Sequence, residues 1–394
     1  MVPEAWYSTK LGKVFKSRRE RGHEGLPTIS VTLNNGLVLR ESLDRKTETT
    51  LSPEEHLLVR TGDIAYNMMR MWQGASGLAR FDALVSPAYV VLKPTKDIDP
   101  VFASYLFKSA RMIHLLWAYS YGLTKDRLRL YFPDFSLIPA ALPPIEEQRR
   151  IGALLSRWDR AIEILDNLIA NSEALKNALT QKLVSGATRL PEFSDRPWNP
   201  HAFGKLATIS KKRYDPKADK TSKRCVELEH IESASGRLLG FCNAHDQDSL
   251  KAAFEPEDVL FGKLRPYLRK FYLADFSGVC STEIWVFKTD RSLCEPAFLA
   301  CLVQTDSFQK AANISSGSKM PRADWEVLKD AIFHLPPKEE QLAIVTVTSR
   351  ADQLVRRYRV ARENLVSEKF AIIEELVTGR RRVRCIEPKE VARA

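Results

Sequence analysis

The sequence predicts an α+β protein in which two mixed α/β domains alternate with two long helices that pair as an antiparallel coiled coil. The string L-P-P-x-E-E-Q occurs twice, beginning at Leu142 and at Leu335. The string L-V-[ST]-G also occurs twice, ending at Gly186 and at Gly379. Both strings recur at one offset of 193 residues (142 to 335). Such a period predicts a pseudo-two-fold tandem duplication of the whole chain.

The duplication divides the chain into five segments, because the helix strings fix where each globular part begins and ends. The globular parts share further short strings, such as G-D-I-A-Y from Gly62 and E-D-V-L-F from Glu257. The segments are a first domain at 1–141, a first helix at 142–186, a second domain at 187–334, a second helix at 335–380 and a basic tail at 381–394.

Each globular segment is predicted to contain short strands followed by a helix. In the first segment, runs at Thr28–Leu33 and Tyr89–Leu92 are strand-like and are separated by Gly, Pro and Asn turns. A helical run follows from Phe102 to Trp117. The second segment has the same order, with strand-like runs at Cys225–Leu228 and Ile284–Phe287 and a helical run from Ala297 to Lys310.

Each repeated segment has the start and end signals of one long helix. Proline is tolerated in a first helical turn, and Glu146 and Glu147 suit the positive end of the helix dipole. Gly186 and Gly379 suit a left-handed helix end. A helix of roughly 40 residues is about 60 Å long. If two such helices pair antiparallel, the second returns the chain towards its start, so the termini are predicted to lie close together.

Between these ends the apolar residues follow a heptad, which is typical of a coiled coil. The alternative is two unrelated core helices, but shared ends and equal length favour the coiled coil. Trp158 stands opposite Ala351 in the repeat and is predicted to fill the seam asymmetrically. The first seam contains Ile151, Trp158, Leu165, Ser172 and Leu179, with Ile344, Ala351, Tyr358, Leu365 and Ile372 in the copy. The second seam contains Leu154, Ala161, Leu168 and Leu175, with Val347, Leu354 and Ala361 in the copy.

Composition places the chain among basic proteins with reduced thiols. At 394 residues, with 44% hydrophobic residues, it is long enough for two or more cores. The six cysteines form no C-x-x-C pair, and no run of about 18 apolar residues is present. We therefore expect a cytoplasmic protein without a membrane span. The net charge of +11 fits nucleic-acid binding but fits a merely soluble basic protein equally well.

The sequence lacks the motifs of catalysis and of cofactor binding. Neither G-x-x-x-x-G-K-[ST] nor G-x-G-x-x-G is present, so no phosphate or dinucleotide cradle is indicated. Pro143-Pro144 superficially matches the Pro-Pro of amino-methyltransferases, but it recurs at Pro336-Pro337 as a helix start. The histidines lack partners at ligand or triad spacing. No catalytic residue, no metal site and no cofactor are predicted in this chain.

The candidate functional residues are basic, aromatic and amide side chains in loops. Arginine can bind guanine, glutamine can read adenine, and lysine or arginine neutralises phosphate. Any one of them alone is more simply a solvated charge, but the clusters recur at equivalent places in the two domains, which favours nucleic acid. Arg380–Arg382 more simply complement the negative end of the second helix. The candidates are Arg70, Trp72, Gln73, Lys125, Arg127 and Arg129 in the first domain, and Lys211, Lys212, Arg213, Lys263, Arg265, Tyr267, Lys319 and Arg322 in the second.

The duplicated pattern of a variable domain followed by a near-identical long helix resembles the specificity subunit of a type I restriction-modification enzyme. The resemblance implies that each globular domain is a target recognition domain reading one half of a split site in double-stranded DNA. It implies that the helices set the spacing of the halves and dock two methyltransferase subunits, and that restriction subunits join them. S-adenosylmethionine and ATP with Mg²⁺ are then expected on the partner subunits, and this chain is not itself an enzyme.

Two other classes stay open at this stage. A coiled-coil adaptor without DNA contacts explains the helices but not the matched basic loops. A single-chain DNA enzyme is disfavoured by the missing cofactor and carboxylate motifs. Because a rigid rod of about 60 Å would hold two DNA readers at a fixed separation, inserting four residues into one helix is predicted to lengthen the DNA spacer without changing either half-site.

Overall fold

The protein is described by a computed structural model that covers residues 4–43, 51–124, 127–219, 221–314 and 320–383. The chain forms two compact units. The first unit contains residues 1–166 and 360–394, and the second contains residues 167–359. Each unit therefore combines one globular domain with part of both long helices. Within the described ranges, no helix is both long and apolar enough to span a bilayer.

The first unit is built around a four-stranded antiparallel sheet in the order β2-β9-β6-β7. Strands β1 and β10 pair beside it, as do β3 with β4 and β5 with β8. The strands are β1 Tyr7–Lys10, β2 Phe15–Arg18, β3 Ile29–Thr32, β4 Gly36–Leu39, β5 Leu57–Val59, β6 Ile64–Asn67, β7 Ser76–Leu78, β8 Ala83–Val85, β9 Tyr89–Pro94 and β10 Pro139–Leu142. The helices are α1 Leu11–Val14, α2 Pro100–Leu106, α3 Ala110–Ala118, α4 Phe132–Leu137 and the start of α5 Ile145–Val184.

The second unit repeats this plan with a sheet in the order β12-β20-β17-β18, and adds a five-stranded sheet in the order β13-β16-β19-β14-β15. The pair β11–β21 corresponds to β1–β10. The strands are β11 Asn199–Ala202, β12 Ala207–Ile209, β13 Arg213–Tyr214, β14 Arg224–Val226, β15 Cys242–Asn243, β16 Lys251–Phe254, β17 Val259–Gly262, β18 Phe271–Leu273, β19 Gly278–Ser281, β20 Ile284–Thr289 and β21 Ile332–Leu335. The helices are α6 Phe203–Leu206, α7 Pro296–Leu302, α8 Asp306–Ala312, α9 Trp325–Leu328 and α10 Lys338–Val377.

The predicted helical runs at 102–117 and 297–310 are wrong as single helices, because each breaks in the middle. The breaks separate α2 from α3 and α7 from α8. At each break a hydroxyl side chain starts the next helix: Ser109 Oγ accepts from the Met112 amide, and Thr305 Oγ1 accepts from the Phe308 amide, both at 3.3 Å. Helical periodicity continues across such a cap, so the pattern alone did not locate it.

The two long helices are confirmed, and each is continuous over 40 residues. Their ends belong to the domain cores. Ile151 of α5 and Leu376 of α10 are buried in the core of the first unit. Leu183 of α5 and Ile344 of α10 are buried in the core of the second. Each core is therefore sealed by the beginning of one helix and the end of the other.

The helices run antiparallel within each unit, as predicted. Ion pairs between them connect rising residue numbers on α5 with falling numbers on α10. In the first unit these are Asp159–Lys369 and Asp166–Arg362, and in the second they are Glu173–Arg359 and Lys176–Asp352, the last at 2.8 Å.

The second predicted seam is wrong at three of its positions, whereas Leu154, Ala161, Val347 and Ala361 are half-buried. Leu168, Leu175 and Leu354 were assigned to it, yet they are 37%, 59% and 42% exposed. Of the positions one residue later in the heptads, Leu155, Lys176, Thr348 and Val355 are buried. A charged residue such as Lys176 can be buried in this seam because an ion pair with the other helix neutralises it. A search for apolar residues alone therefore selects the neighbouring leucines. Residues of the first seam lie as follows: Ile151 and Ile344 are buried, and Trp158, Leu165, Tyr358, Leu365 and Ile372 are half-buried.

The glutamine of the repeated string fastens each long helix to its domain. Gln148 Nε2 donates to the carbonyls of Asp97 and Pro143 at 3.1 and 2.9 Å, and its Oε1 accepts from the Asp99 amide at 2.9 Å. Gln341 repeats these contacts with Leu293 O, Pro336 O and the Glu295 amide at 2.9, 3.0 and 2.9 Å. The glutamine is therefore retained in both strings for a structural reason.

The second glutamate of the string is held by an arginine that follows the end of the other helix segment in the same unit. Arg382 binds Glu147 through two hydrogen bonds of 2.6 and 2.7 Å. Arg189 binds Glu340 in the same way at 2.7 and 2.8 Å. Arg382 also donates to the Glu4 carbonyl at 2.7 Å, which places residues near the two ends of the chain in contact. Residues 384–394 of the predicted basic tail lie outside the described residues.

Candidate nucleic-acid interface

In the first unit, two of the predicted basic loops lie side by side. One follows β6 and carries Arg70, and the other carries Arg127 and Arg129. The Leu130 amide donates to the Met68 carbonyl at 2.9 Å, which joins the two loops. Two hydrogen bonds between Tyr121 and Arg129 close the second loop into a hairpin. The fold therefore brings together side chains that are more than 50 residues apart in sequence.

The second unit joins its loops through the equivalent hydrogen bond. The Ala323 amide donates to the Lys263 carbonyl at 2.9 Å, and the Arg265 amide donates to the Pro321 carbonyl at 2.8 Å. Lys263 follows β17, which is the counterpart of β6, and Ala323 precedes α9, the counterpart of α4. A paired-loop surface thus recurs at the same place in both domains.

The candidate arginines differ in whether another side chain already binds their guanidinium group. Arg70, Arg127 and Arg265 are exposed, and their guanidinium groups form no ion pair with another described residue. Arg265 has a left-handed backbone (φ 53°), which turns the chain sharply after β17. Arg129 donates to the Tyr131 hydroxyl at 3.3 Å, and Arg322 forms an ion pair with Glu283 at 3.0 Å. Lys125 and Lys319 lie outside the described residues.

Aromatic and amide candidates flank these cations. Trp72 and Gln73 belong to a single turn of 3-10 helix at Met71–Gln73, and both are half-buried. Met71 is fully buried in the core, and Trp72 Nε1 donates to the Met69 carbonyl at 3.0 Å. The buried Met71 side chain holds the turn against the domain, and the hydrogen bond of Trp72, which lies within the loop, fixes its indole. In the second unit Tyr267 is 55% exposed.

The run Lys211–Arg213 lies elsewhere. The Lys212 carbonyl accepts from the Ala253 amide at 3.0 Å, and the Lys212 ammonium lies 3.8 Å from Glu255. Glu255 precedes β17, whereas Lys263 follows it, so the two clusters are at opposite ends of that strand. The structure does not combine Lys211, Lys212 and Arg213 with the paired loops.

The shared aspartate of the G-D-[IV] and E-D-V strings supports the sheet rather than the loops. Asp63 is buried and binds Arg18 at 2.6 Å. Asp258 is buried and binds Lys288 at 2.5 Å. Because each partner lies on a strand of the central sheet or next to it, the aspartate fixes the strand that leads into the candidate loop.

Lys108 was missed by the sequence reasoning, and no local motif marks it. Its ammonium donates to the Gly74 carbonyl at 2.6 Å and to the Leu33 carbonyl at 3.2 Å. Gly74 ends the turn that carries Trp72 and Gln73, so the hydrogen bond from Lys108 fixes the end of this turn. Burial, and then the positive charge of Lys369, lower the pKa of Lys108 to about 8.

We expect Lys108 to make the first unit more stable as the pH rises from about 8 towards 10.5. The folded protein releases this proton near pH 8, whereas an exposed lysine keeps it until about 10.5, so unfolding takes up a proton in this range. The free energy of unfolding then rises by at most about 1.4 kcal/mol per pH unit. Denaturant titrations of wild type and Lys108→Met from pH 7 to 10.5 measure this. Parallel stability curves for the two proteins would contradict the assignment.

Comparison with known proteins agrees with the predicted fold. A protein-family model described as the type I restriction modification DNA specificity domain matches residues 7–173. This range covers the first globular domain and most of α5, so this part of the chain is similar to that class of domain. The EcoDI type I restriction enzyme specificity subunit of Escherichia coli is 28% identical over 206 residues, which is 52% of this chain and 43% of that protein.

Other relatives extend over nearly the whole chain. The MjaVIII type I restriction enzyme specificity subunit of Methanocaldococcus jannaschii is 22% identical over 97% of this chain and 94% of its own length. A chain from a solved type I restriction-modification system has the same fold with a TM-score of 0.59 at 18% identity, covering 96% of this chain and 98% of that one. These matches confirm the predicted resemblance to the specificity subunit of a type I restriction-modification enzyme.

Proposed function

We propose that this protein is the DNA-reading subunit of a type I restriction-modification complex, and that each globular domain binds one half of a bipartite site. The observation that carries the proposal is the recurrence of two hydrogen-bonded loops with exposed arginines at the same place in both domains. Arginines free of ion pairs can neutralise phosphates or bind base edges, whereas those already paired cannot do so without losing a partner.

Partner docking is supported by the long helices. Apolar side chains that stay exposed on a helix pair of this kind fit an interface with another protein. We infer that two methyltransferase subunits bind there and carry S-adenosylmethionine, and that restriction subunits with ATP and Mg²⁺ complete a cytoplasmic complex. The exposed side chains are Ile164, Val360 and Phe370 in the first unit, and Leu168, Leu175, Leu342 and Leu354 in the second.

A coiled-coil adaptor without DNA contacts is the second candidate, and the matched loops do not favour it. Binding of duplex DNA in the presence of the methyltransferase subunits separates the two functions. A DNA reader loses affinity steeply as salt increases, because bound phosphates release counterions. Mapping of methylated adenines in cells then gives the bipartite site. An assembled complex that binds all duplexes alike and methylates none would contradict the proposal.

Arg265 is expected to contribute more to DNA binding than Arg322 does, although the loops of both residues are hydrogen-bonded together. Arg265 is free of ion pairs with the described residues, whereas Glu283 already neutralises Arg322. In Arg265→Gln the slope of log K against log salt is expected to fall by about one, and in Arg322→Gln by clearly less. Salt titrations of the two variants, assembled with methyltransferase subunits, measure this. Equal slopes in the two variants would exclude the assignment.

A further inference from the structure

The hairpin that carries Arg127 and Arg129 also carries an exposed apolar side chain at Leu123. Leu123 has 104% of its reference surface exposed, so it makes essentially no contact with the rest of the described chain. Tyr121, at the base of the same hairpin, is 56% exposed, and Met69 on the adjoining loop is 46% exposed. Other large apolar residues are exposed on this protein, but none of those described projects as completely as Leu123.

Three arginines lie on the hairpin of Leu123 and on the loop joined to it, and the Asp134 carboxylate lies near Tyr121 at the base of the hairpin. Arg127 and Arg129 lie on the same hairpin, and Arg70 lies on the loop joined to it by the Leu130–Met68 hydrogen bond. Isolated exposed leucines are common and usually mean nothing. An exposed apolar side chain among arginines is more specific, because it complements a duplex, in which charged phosphates flank an apolar stack of bases.

The base of the hairpin is held firmly enough to position Leu123. Tyr121 and Arg129 exchange two main-chain hydrogen bonds, of 3.1 and 2.9 Å. The rings of Tyr121 and Tyr131 lie 5.9 Å apart between centroids. Leu130 is fully buried in the core directly after Arg129. A side chain that is to separate stacked bases needs such a support, because unstacking costs a few kcal/mol per base step.

We propose that Leu123 inserts as a wedge between two adjacent base pairs of the half-site that the first domain binds. The inference rests on the proposed function and adds a local distortion of the DNA to it. Leucine is among the apolar side chains that proteins insert in this way. The arginines hold the backbone on either side while the leucine occupies the opened step.

The wedge is predicted for one half-site only. When Gly122-Leu123-Thr124-Lys125 is aligned with Ser316-Gly317-Ser318-Lys319, Gly317 stands opposite Leu123, and glycine has no side chain to insert. The two half-sites of one DNA molecule therefore serve as test and control in the same experiment. Within the first domain, Phe81 offers a matched control substitution. It is 47% exposed and follows β7, whereas Leu123 lies on the hairpin joined to the loop after β6.

The test compares wild type, Leu123→Ala and Phe81→Ala, each assembled with its methyltransferase subunits, on a series of duplexes. The series carries a single mismatch moved through each base pair of both half-sites. On the intact site, Leu123→Ala is expected to lose roughly tenfold in affinity, because the variant no longer compensates for the unstacking. A mismatch at the wedged step opens the stack in advance and should restore the variant to near wild-type affinity. No mismatch in the second half-site should do so.

A second readout follows the distortion directly. 2-Aminopurine placed beside the wedged step should fluoresce more strongly with wild type and with Phe81→Ala than with Leu123→Ala. The proposal is overturned if Leu123→Ala binds every duplex as wild type does, or if no mismatch restores it. It is also overturned if the variant weakens assembly with methyltransferase subunits in the absence of DNA, since Leu123 then contacts a protein. If wild type itself shows no site preference, the proposed function fails, which is a distinct result.

Discussion

Replacing Arg189 with methionine is expected to destabilise the second unit by about 3–5 kcal/mol, the cost of leaving a buried carboxylate without its partner. The Glu340 side chain is only 1% exposed and receives two hydrogen bonds from Arg189. The other side chain that donates to this carboxylate among the described residues is Trp198, through Nε1 at 3.0 Å. One indole donor does not compensate a buried negative charge, so the start of α10 should loosen from its domain.

Two matched controls lie in the same protein. Arg196 and Glu339 form an ion pair at 3.3 Å one residue away, but their side chains are 53% and 69% exposed. Arg196→Met should therefore cost at most about 1 kcal/mol. Arg382→Met tests the equivalent pair in the first unit, where Glu147 is 5% exposed and Arg382 39% exposed, and a smaller effect than for Arg189 is expected.

Hydrogen exchange measures the effect unit by unit. In Arg189→Met, amides of β17 and β20 should lose protection while those of β6 and β9 keep it. The reverse is expected for Arg382→Met. The double variant Arg189→Met with Glu340→Leu should recover much of the loss, because it removes the unpaired charge together with its partner. Similar exchange in Arg189→Met and Arg196→Met would show that the buried pair does not hold the helix.

These pairs show how far sequence reasoning reached. The repeat located both helices because proline starts, glycine ends and a heptad all depend on local sequence. The roles of Gln148 and Glu147 within the same string were not predictable. Gln148 binds a loop before α2, and Glu147 binds an arginine that follows it by more than 230 residues. A motif can therefore be recognised in duplicate while its partners stay hidden in the tertiary fold.

The prediction of the second seam failed in part, and the prediction of the binding loops gave residue types without their arrangement. Both outcomes have the same cause, which is that tertiary contacts are not written in local sequence. A heptad search looks for apolar residues, so it selected Leu175 over Lys176, which is buried because Asp352 satisfies its charge. In the loops, Arg70 and Arg127 could be selected by residue type. Their proximity follows from one hydrogen bond between Leu130 and Met68 that leaves no trace in the sequence. Which arginines are free and which are paired also had to come from the fold.

Lengthening both long helices by four residues is expected to change the spacing of the DNA half-sites without changing either half-site. The insertions would follow Asp166 in α5 and Arg359 in α10, where each helix passes from one unit to the other. All four ion pairs between the helices then keep their partners, since Asp159, Asp166, Lys369 and Arg362 stay in one unit and the remaining pairs in the other. Four residues add about 6 Å to a helix.

At about 3.4 Å per base pair this length corresponds to a spacer longer by about one or two base pairs. Long-read mapping of methylated adenines in cells that carry the lengthened subunit measures the spacer and both half-sites at once. A variant with four substitutions at the same places, and no added length, should keep the original site. If the lengthened protein recognised altered half-sites at the original spacing, the helices would not determine the spacer. Altered half-sites would instead assign base choice to residues of the helices, because the paired loops of both domains are untouched by the insertions.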